Sequence, residues 1–357
     1  MKKLLSLLVC LAMLAALCAC GSTAGTDKTA ETEAPAQTAS ETAAETTAET
    51  TAETTAETGE TAADGKTFTV GICQLTQHVA LDAATQGFID VLTEELGDSV
   101  TIVNQNASGD IPTCATIVNG FVSDGVDLIL ANATPALQAA AAATDDIPIL
   151  GTAVTEYGVA LDLTDFDGTV GGNISGTSDL APLDQQAAMI TELFPEAKTA
   201  GILYCSAEAN SVYQAEVVKA ALEQAGLTVN IYTFADSNDV SSVTAVACDE
   251  SDVIYIPTDN TAASCAEAIN NVAEPAGVPI VAGEEGICTG CGVATLSIDY
   301  YELGRTTGAM AVRILRDGED ISTMPIEYFP DPVKEYNAAI CESLGVTVPD
   351  DYVAIGE

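Results

Sequence analysis

The residues of this chain that could do chemistry stand in short polar loops between apolar runs. Leu75-Thr76-Gln77-His78 holds the single histidine; Thr134-Pro135, Thr152-Ala153 and Ser178-Asp179 follow, then Ser206, Glu208, Asn210, Thr258-Asp259, Glu284-Glu285 and Asp299. Thr134 ahead of Pro135 reads as a helix N-cap with proline at the first helical position, which leaves backbone N–H groups free to meet a carboxylate. The stretch from Ser206 to Ser211 reads the same way. Asp259, Glu284, Glu285 and Asp299 can hold an ammonium group through charge-assisted hydrogen bonds. Each of these residues has a plainer reading as a helix cap alone; the ligand reading rests on six such loops converging on one cleft. His78, whose imidazole titrates at about 6.5 when unperturbed, has the chemistry of a pH switch, though a lone histidine ordinarily has no special role. No nucleophile–base pair, phosphate loop or metal-ligand cluster can be read. The expected activity is binding, with no enzyme chemistry, cofactor or metal.

Cysteine supplies one rival chemistry. Cys73, Cys114, Cys205, Cys248, Cys265, Cys288, Cys291 and Cys341 form an even set, and Cys288-Thr289-Gly290-Cys291 has the spacing of a redox pair or half a zinc site. A redox pair opens a helix, whereas here a strand is expected to follow directly, and no second pair completes a metal site. The pair reads as a local disulfide or two free thiols, and the others as small core residues.

Strands and helices must position these loops, and the apolar periodicity supplies both. Short β-branched runs begin near Thr67, Thr101, Asp127 and Pro148, and again near Thr199, Thr228, Asp252 and Pro279, the second set trailing the first by 125 to 132 residues. Between them lie amphipathic stretches near 110–123, 135–143, 182–193, 211–225, 238–247 and 261–274; the first helix places Leu81, Ala84, Phe88, Leu92 and Leu96 at helical spacing. The alternation predicts an α/β fold of two Rossmann-like lobes with parallel sheets. A further strand from Val293 to Ile298, a helix to about Arg316 and a last strand from Ile326 to Phe329 exceed what two simple lobes need. Three crossings between lobes, near Gly176 to Asp179, Asp299 and Ser322 to Pro325, accommodate them. Residues 66–176 with 299–322 then form lobe 1, and 177–298 with 323–357 form lobe 2. A hinge of three strands bends while resisting twist. Ligands of open parallel sheets lie beyond the carboxyl ends of the strands, where the polar loops fall.

Residues 1–20 read as an export signal: Lys2 and Lys3, an apolar run from Leu4 to Leu17 too short to span a membrane, then Cys18, Ala19 and Cys20. Leu17 to Cys20 resembles a bacterial lipobox, which implies acylation of Cys20 after cleavage. Residues 21–65 repeat Glu-Thr-Thr-Ala with ten acids and one base, a disordered acidic tether. The body carries 43 acids against seven bases within a whole-chain net charge of −43, which excludes nucleic acid and anionic membrane surfaces as partners. The expected location is extracytoplasmic, with the lipid as the only membrane anchor.

A family resemblance rests on Gly71-Ile72-Cys73-Gln74 and His78 to Ala84, Ala133-Thr134-Pro135-Ala136, Ile147 to Thr155, Gly176-Thr177-Ser178-Asp179, Ser206 to Ser211, Pro257 to Thr261, Gly283-Glu284-Glu285-Gly286 and Asp299 to Gly304. As a set, over about residues 66 to 346, they resemble the solute-binding lipoproteins of ABC transporters that include tryptophan and tyrosine uptake systems. The resemblance implies a type I periplasmic-binding-protein fold with its three-strand hinge. It also implies capture of a small amino-acid-like ligand, often aromatic, and docking of a monomer onto a membrane permease driven by a cytoplasmic ATPase. The expected ligand-binding residues are Leu75, Gln77, His78, Thr134, Thr152, Ser178, Asp179, Ser206, Glu208, Asn210, Thr258, Asp259, Glu284 and Asp299. The chain has no tryptophan, so a ligand ring needs a wall from Leu75, Tyr157 or Tyr300. A membrane-tethered sensor of the same fold is the alternative.

Overall fold

The computed structural model describes residues 66–329 and 331–356, so the expected signal, Cys20 and the tether lie outside it. The first half runs β1 (Phe68–Gln74), α1 (Val79–Leu96), β2 (Val100–Asn106), α2 (Ile111–Asp124), β3 (Leu128–Asn132), α3 (Thr134–Ala143), β4 (Ile149–Val154), the single turn α4 (Tyr157–Ala160) and β5 (Ile174–Ser178). The second half runs α5 (Leu183–Leu193), β6 (Thr199–Cys205), α6 (Ala209–Gln224), β7 (Thr228–Phe234), α7 (Val240–Glu250), β8 (Val253–Ile256), α8 (Asn260–Ser264), α9 (Ala266–Ala276), β9 (Ile280–Ala282), α10 (Glu285–Cys291) and β10 (Ala294–Ser297). The chain closes with α11 (Tyr300–Leu315), β11 (Glu327–Tyr328), β12 (Val333–Tyr336), α12 (Ala338–Leu344) and β13 (Val353–Ala354).

Two sheets result. The first has the order β11-β5-β4-β3-β1-β2 and is parallel throughout; the second, β13-β12-β10-β9-β8-β6-β7, is parallel except that β12 runs against β10. Strands buried on both faces read as near-continuous apolar runs, and the alternation assigns the faces. In the first sheet Val70, Ile72, Leu128, Leu130 and Leu150 turn toward α1 and α11, while Cys73, Ile129, Ala131 and Ile149 turn toward α2 and α3. In the second, Leu203, Ile254 and Ile280 face α7, α9 and α10, and Ile202, Val253 and Val281 face α5 and α6.

Helix α11 returns to the first sheet and lies hard against α1. A Cβ at Gly304 would stand 2.0 Å from the Ala84 carbonyl oxygen, and one at Gly87 would stand 2.1 Å from that of Tyr301, so glycine permits the backbone approach.

Several expectations are corrected here. The third crossing lies between Tyr328 and Val333, not at 322–325, because β11 still pairs with β5 through Glu327 and Tyr328. Cys288 and Cys291 lie in the short helix α10, one turn apart and at its end rather than its start, and strand β10 follows from Ala294 as expected. Both thiols are free and buried, and burial raises their pKa, which disfavours the reactive thiolate. Strands β12 and β13 and helix α12 extend the second sheet beyond the last expected strand.

Candidate ligand-binding site

The carboxyl ends of β1, β3, β4 and β5 face those of β6, β8 and β9 across the gap between lobes, and the two sides touch. His78 Nε2 stands 3.2 Å from Asn260 Oδ1, and Gln214 Nε2 donates to Thr155 Oγ1 at 3.5 Å. A Cβ on Gly286 would stand 3.3 Å from the Val79 Cβ, so the starts of α10 and α1 are in contact. Two cavities open between the lobes. One, of about 320 Å³, is bounded by Val79, Ala83, Glu284, Glu285, Asp299 and Tyr300; the other, of about 140 Å³, by Leu75, Ile111, Glu208, Asn260 and Thr261.

Buried polar atoms normally have hydrogen-bond partners, so those without one that face the gap between the lobes are candidates to meet a ligand atom. Four lie in the facing loops: Thr134 Oγ1, Asp179 Oδ1, Asn210 Oδ1 and His78 Nδ1. Asp179 follows β5, and its other oxygen accepts from Tyr300 Oη at 3.0 Å. Burial pushes its carboxyl up to about 6, against the pull of the nearby Thr155 hydroxyl and the Tyr300 hydrogen bond. An ammonium beside the bare oxygen would restore the charged form. Thr134 was expected to cap α3 but is its first helical residue. Ala133 occupies the cap position at φ 89, held by its N–H to the Thr152 carbonyl at 3.0 Å, and Pro135 follows. The Thr134 hydroxyl and the unpaired first-turn amides of α3 together offer donors to a carboxylate.

Other candidates spend their polar atoms on the protein. Asp259 accepts from the N–H groups of Cys205 at 2.7 Å and Ala262 at 2.7 Å, and Glu284 caps α10 through Gly286 and Ile287. Burial raises both carboxyls, Glu284 to about 7. Glu208 binds one loop of its own lobe, accepting from Asn260 and Thr261. Asp299 is exposed and caps α11 through the Glu302 N–H at 3.0 Å. Thr152 accepts from Thr177 at 3.3 Å and Thr307 at 3.1 Å inside lobe 1, and Ser178 donates to the Thr155 carbonyl at 2.8 Å. Thr258 donates to the Gly283 carbonyl at 3.2 Å. Ser206 is exposed with its hydroxyl on the Phe234 carbonyl, and Gln77 is exposed beside Gln86 and Asn104 on the flank of lobe 1.

Of the three expected walls, Leu75 is buried and borders the smaller cavity, and Tyr300 borders the larger. Tyr157 is buried inside lobe 1, its ring over Gly151 and Gly176 and its hydroxyl on the Thr177 carbonyl at 3.0 Å; a Cβ on either glycine would stand 2.4 Å from that hydroxyl. Thr155 and Gln214 join the lobes but were not among the expected site residues. Gln214 lies one helical turn beyond Asn210, a spacing visible in the sequence.

A family model described as ABC transporter substrate binding protein matches residues 69–355. The chain belongs to that family. A relative, the tyrosine-binding protein of Clostridioides difficile (strain R20291), is 37% identical over 264 residues, 73% of this chain and 76% of the relative. A structure of the ABC domain from Streptococcus pneumoniae in complex with L-Trp is 35% identical, with a TM-score of 0.76 over 80% of this chain and 97% of that one. The ligand-free, open structure of a Clostridium difficile substrate binding protein with adhesive properties is 36% identical, with a TM-score of 0.62 over 81% and 99%. The two-lobed architecture is that of type I periplasmic binding proteins. At nearly equal identity this chain fits the tryptophan complex better than the open structure, in keeping with its bonded lobes.

Proposed function

We propose that this chain is the extracytoplasmic receptor of an ABC importer, anchored by a lipid on Cys20, that captures a free aromatic amino acid between its lobes and delivers it to a permease. The observation that carries the amino-acid reading is the bare, buried Oδ1 of Asp179, a desolvated carboxylate oxygen that a ligand ammonium would pair. The Thr134 hydroxyl and the α3 amides suit the ligand carboxylate, which gives the site the polarity of a zwitterion. Tyr300, its hydroxyl on Asp179, offers a ring beside the ammonium, and the relatives named for tyrosine and bound to L-Trp favour an aromatic side chain. Closure of the lobes would present the permease with a surface that exists only when ligand is bound.

The test is ligand binding by the chain from Gly21 onward, after denaturation and refolding to strip carried-over ligand. Tyrosine or tryptophan at 100-fold excess over its dissociation constant should stabilise the fold by ~2.7 kcal/mol, while acidic and basic amino acids should not. If no amino acid raises the unfolding temperature, the reading is wrong.

A further inference from the structure

His78 has a fixed tautomer, and Glu208 fixes it. A carboxylate only accepts, and Glu208 Oε2 takes the Asn260 side-chain Nδ2 at 2.6 Å and its backbone N–H at 3.0 Å. The amide oxygen of Asn260 must therefore be the atom facing His78, and an oxygen acceptor requires the hydrogen on Nε2. Burial holds the ring in its neutral form. Nδ1 is then a bare acceptor, buried and without a donor in the protein. An acceptor left in that state keeps a desolvation cost that a ligand donor would recover.

The order of the first sheet says which part of the ligand reaches it. Asp179 follows β5, Thr134 follows β3 and His78 follows β1, and the sheet runs β5-β4-β3-β1. Three spacings of about 4.8 Å put the ends of β5 and β1 about 14 Å apart, too far for one ammonium to serve both. A ligand with its ammonium at Asp179 and its carboxylate at Thr134 has only its side chain left to reach the β1 end of this edge. A charged ammonium also gains more from a carboxylate than from a neutral nitrogen.

We infer that His78 sets the side-chain preference of the site, its Nδ1 accepting a hydrogen bond from a donor at the tip of the ligand ring, a phenol O–H or an indole N–H. The inference rests on the aromatic amino-acid reading above. It places the discrimination between tyrosine or tryptophan and phenylalanine in one residue.

Calorimetric titration of the refolded chain with L-tyrosine, L-tryptophan and L-phenylalanine tests it, with His78→Phe to remove the acceptor and His78→Gln to restore one. In the wild type a ring donor should improve affinity over phenylalanine by about 10- to 100-fold. His78→Phe should bring that ratio toward one, and His78→Gln should regain part of it. Equal losses for all three ligands would show that His78 serves the head group or lobe closure, and would overturn the inference. So would a wild type that binds phenylalanine as well as tyrosine. A wild type that binds none of the three refutes the aromatic reading itself, before any variant is compared.

Discussion

At Asp179 binding and folding pull in opposite directions. Burial moves its carboxyl from 3.8 to about 6, so between those values the folded, ligand-free protein holds a proton that the unfolded chain has released. Its contribution to stability is present below about pH 3.8 and lost as pH rises through about 6. Glu284 acts in the same sense, moved from 4.5 to about 7 by burial. Asp179→Asn imitates the protonated acid. It should stabilise the ligand-free chain by up to about 3 kcal/mol near pH 8, leave it near wild type close to pH 4, and weaken amino-acid binding at both. Melting temperatures at the two pH values check this; a variant less stable than wild type near pH 8 would contradict the assignment. The sequence shows acids at helix starts, and Asp259, Glu284 and Asp299 are caps, as the local pattern allows. What it cannot show is which acid keeps an oxygen bare, because that depends on partners such as Tyr300, 121 residues away. The tautomer of His78 is hidden for the same reason, being set through Asn260, 182 residues on.

Among elements, the α1–α11 contact separates packing from surface charge. Arg305 of α11 and Arg316, which caps its C-terminal end, reach Glu94 and Glu95 of α1 at 3.0 and 2.8 Å, but the pairs are largely solvent-exposed and contribute about 0–1 kcal/mol each. Gly304 meets the backbone of α1, where an added methyl cannot be absorbed by a side-chain shift. Chemical denaturation should therefore find Arg305→Ala within about 1 kcal/mol of wild type and Gly304→Ala destabilised by about 1–3 kcal/mol or more. Equal effects would mean that the helices move apart at little cost. Helix α1 was legible because Leu81, Ala84, Phe88 and Leu92 recur at its period and all are buried. The strands were legible because both faces are buried. Helix α10 was not, since it is short, holds Gly286 and Gly290, and starts from the carboxylate cap of Glu284. The third crossing was misplaced because β11 is two residues long, and only its partner β5 identifies its sheet.

For the molecule as a whole, the proposed clamp function makes closure the motion to test, and Gly286 marks one place where the lobes meet, beside Val79. A side chain there would wedge them apart. Small-angle scattering should show the wild type becoming more compact on adding ligand and Gly286→Leu staying extended, with affinity down by about tenfold or more. A variant that still compacts would remove this contact from the closing motion. The return of α11 has another outcome, one of timing. Vectorial synthesis delivers β1 first and α11 late, yet α11 shares with α1 the apolar face of the first sheet, lying over β4 and β5 where Leu150 stands. The first lobe to emerge is thus the last to be completed: α1 covers part of this face at once, and the rest waits for residues 300–315. The layers from α5 to β10 are contiguous in the chain and can condense while it waits, so a chain stopped before α11 would leave part of the first sheet's apolar face exposed.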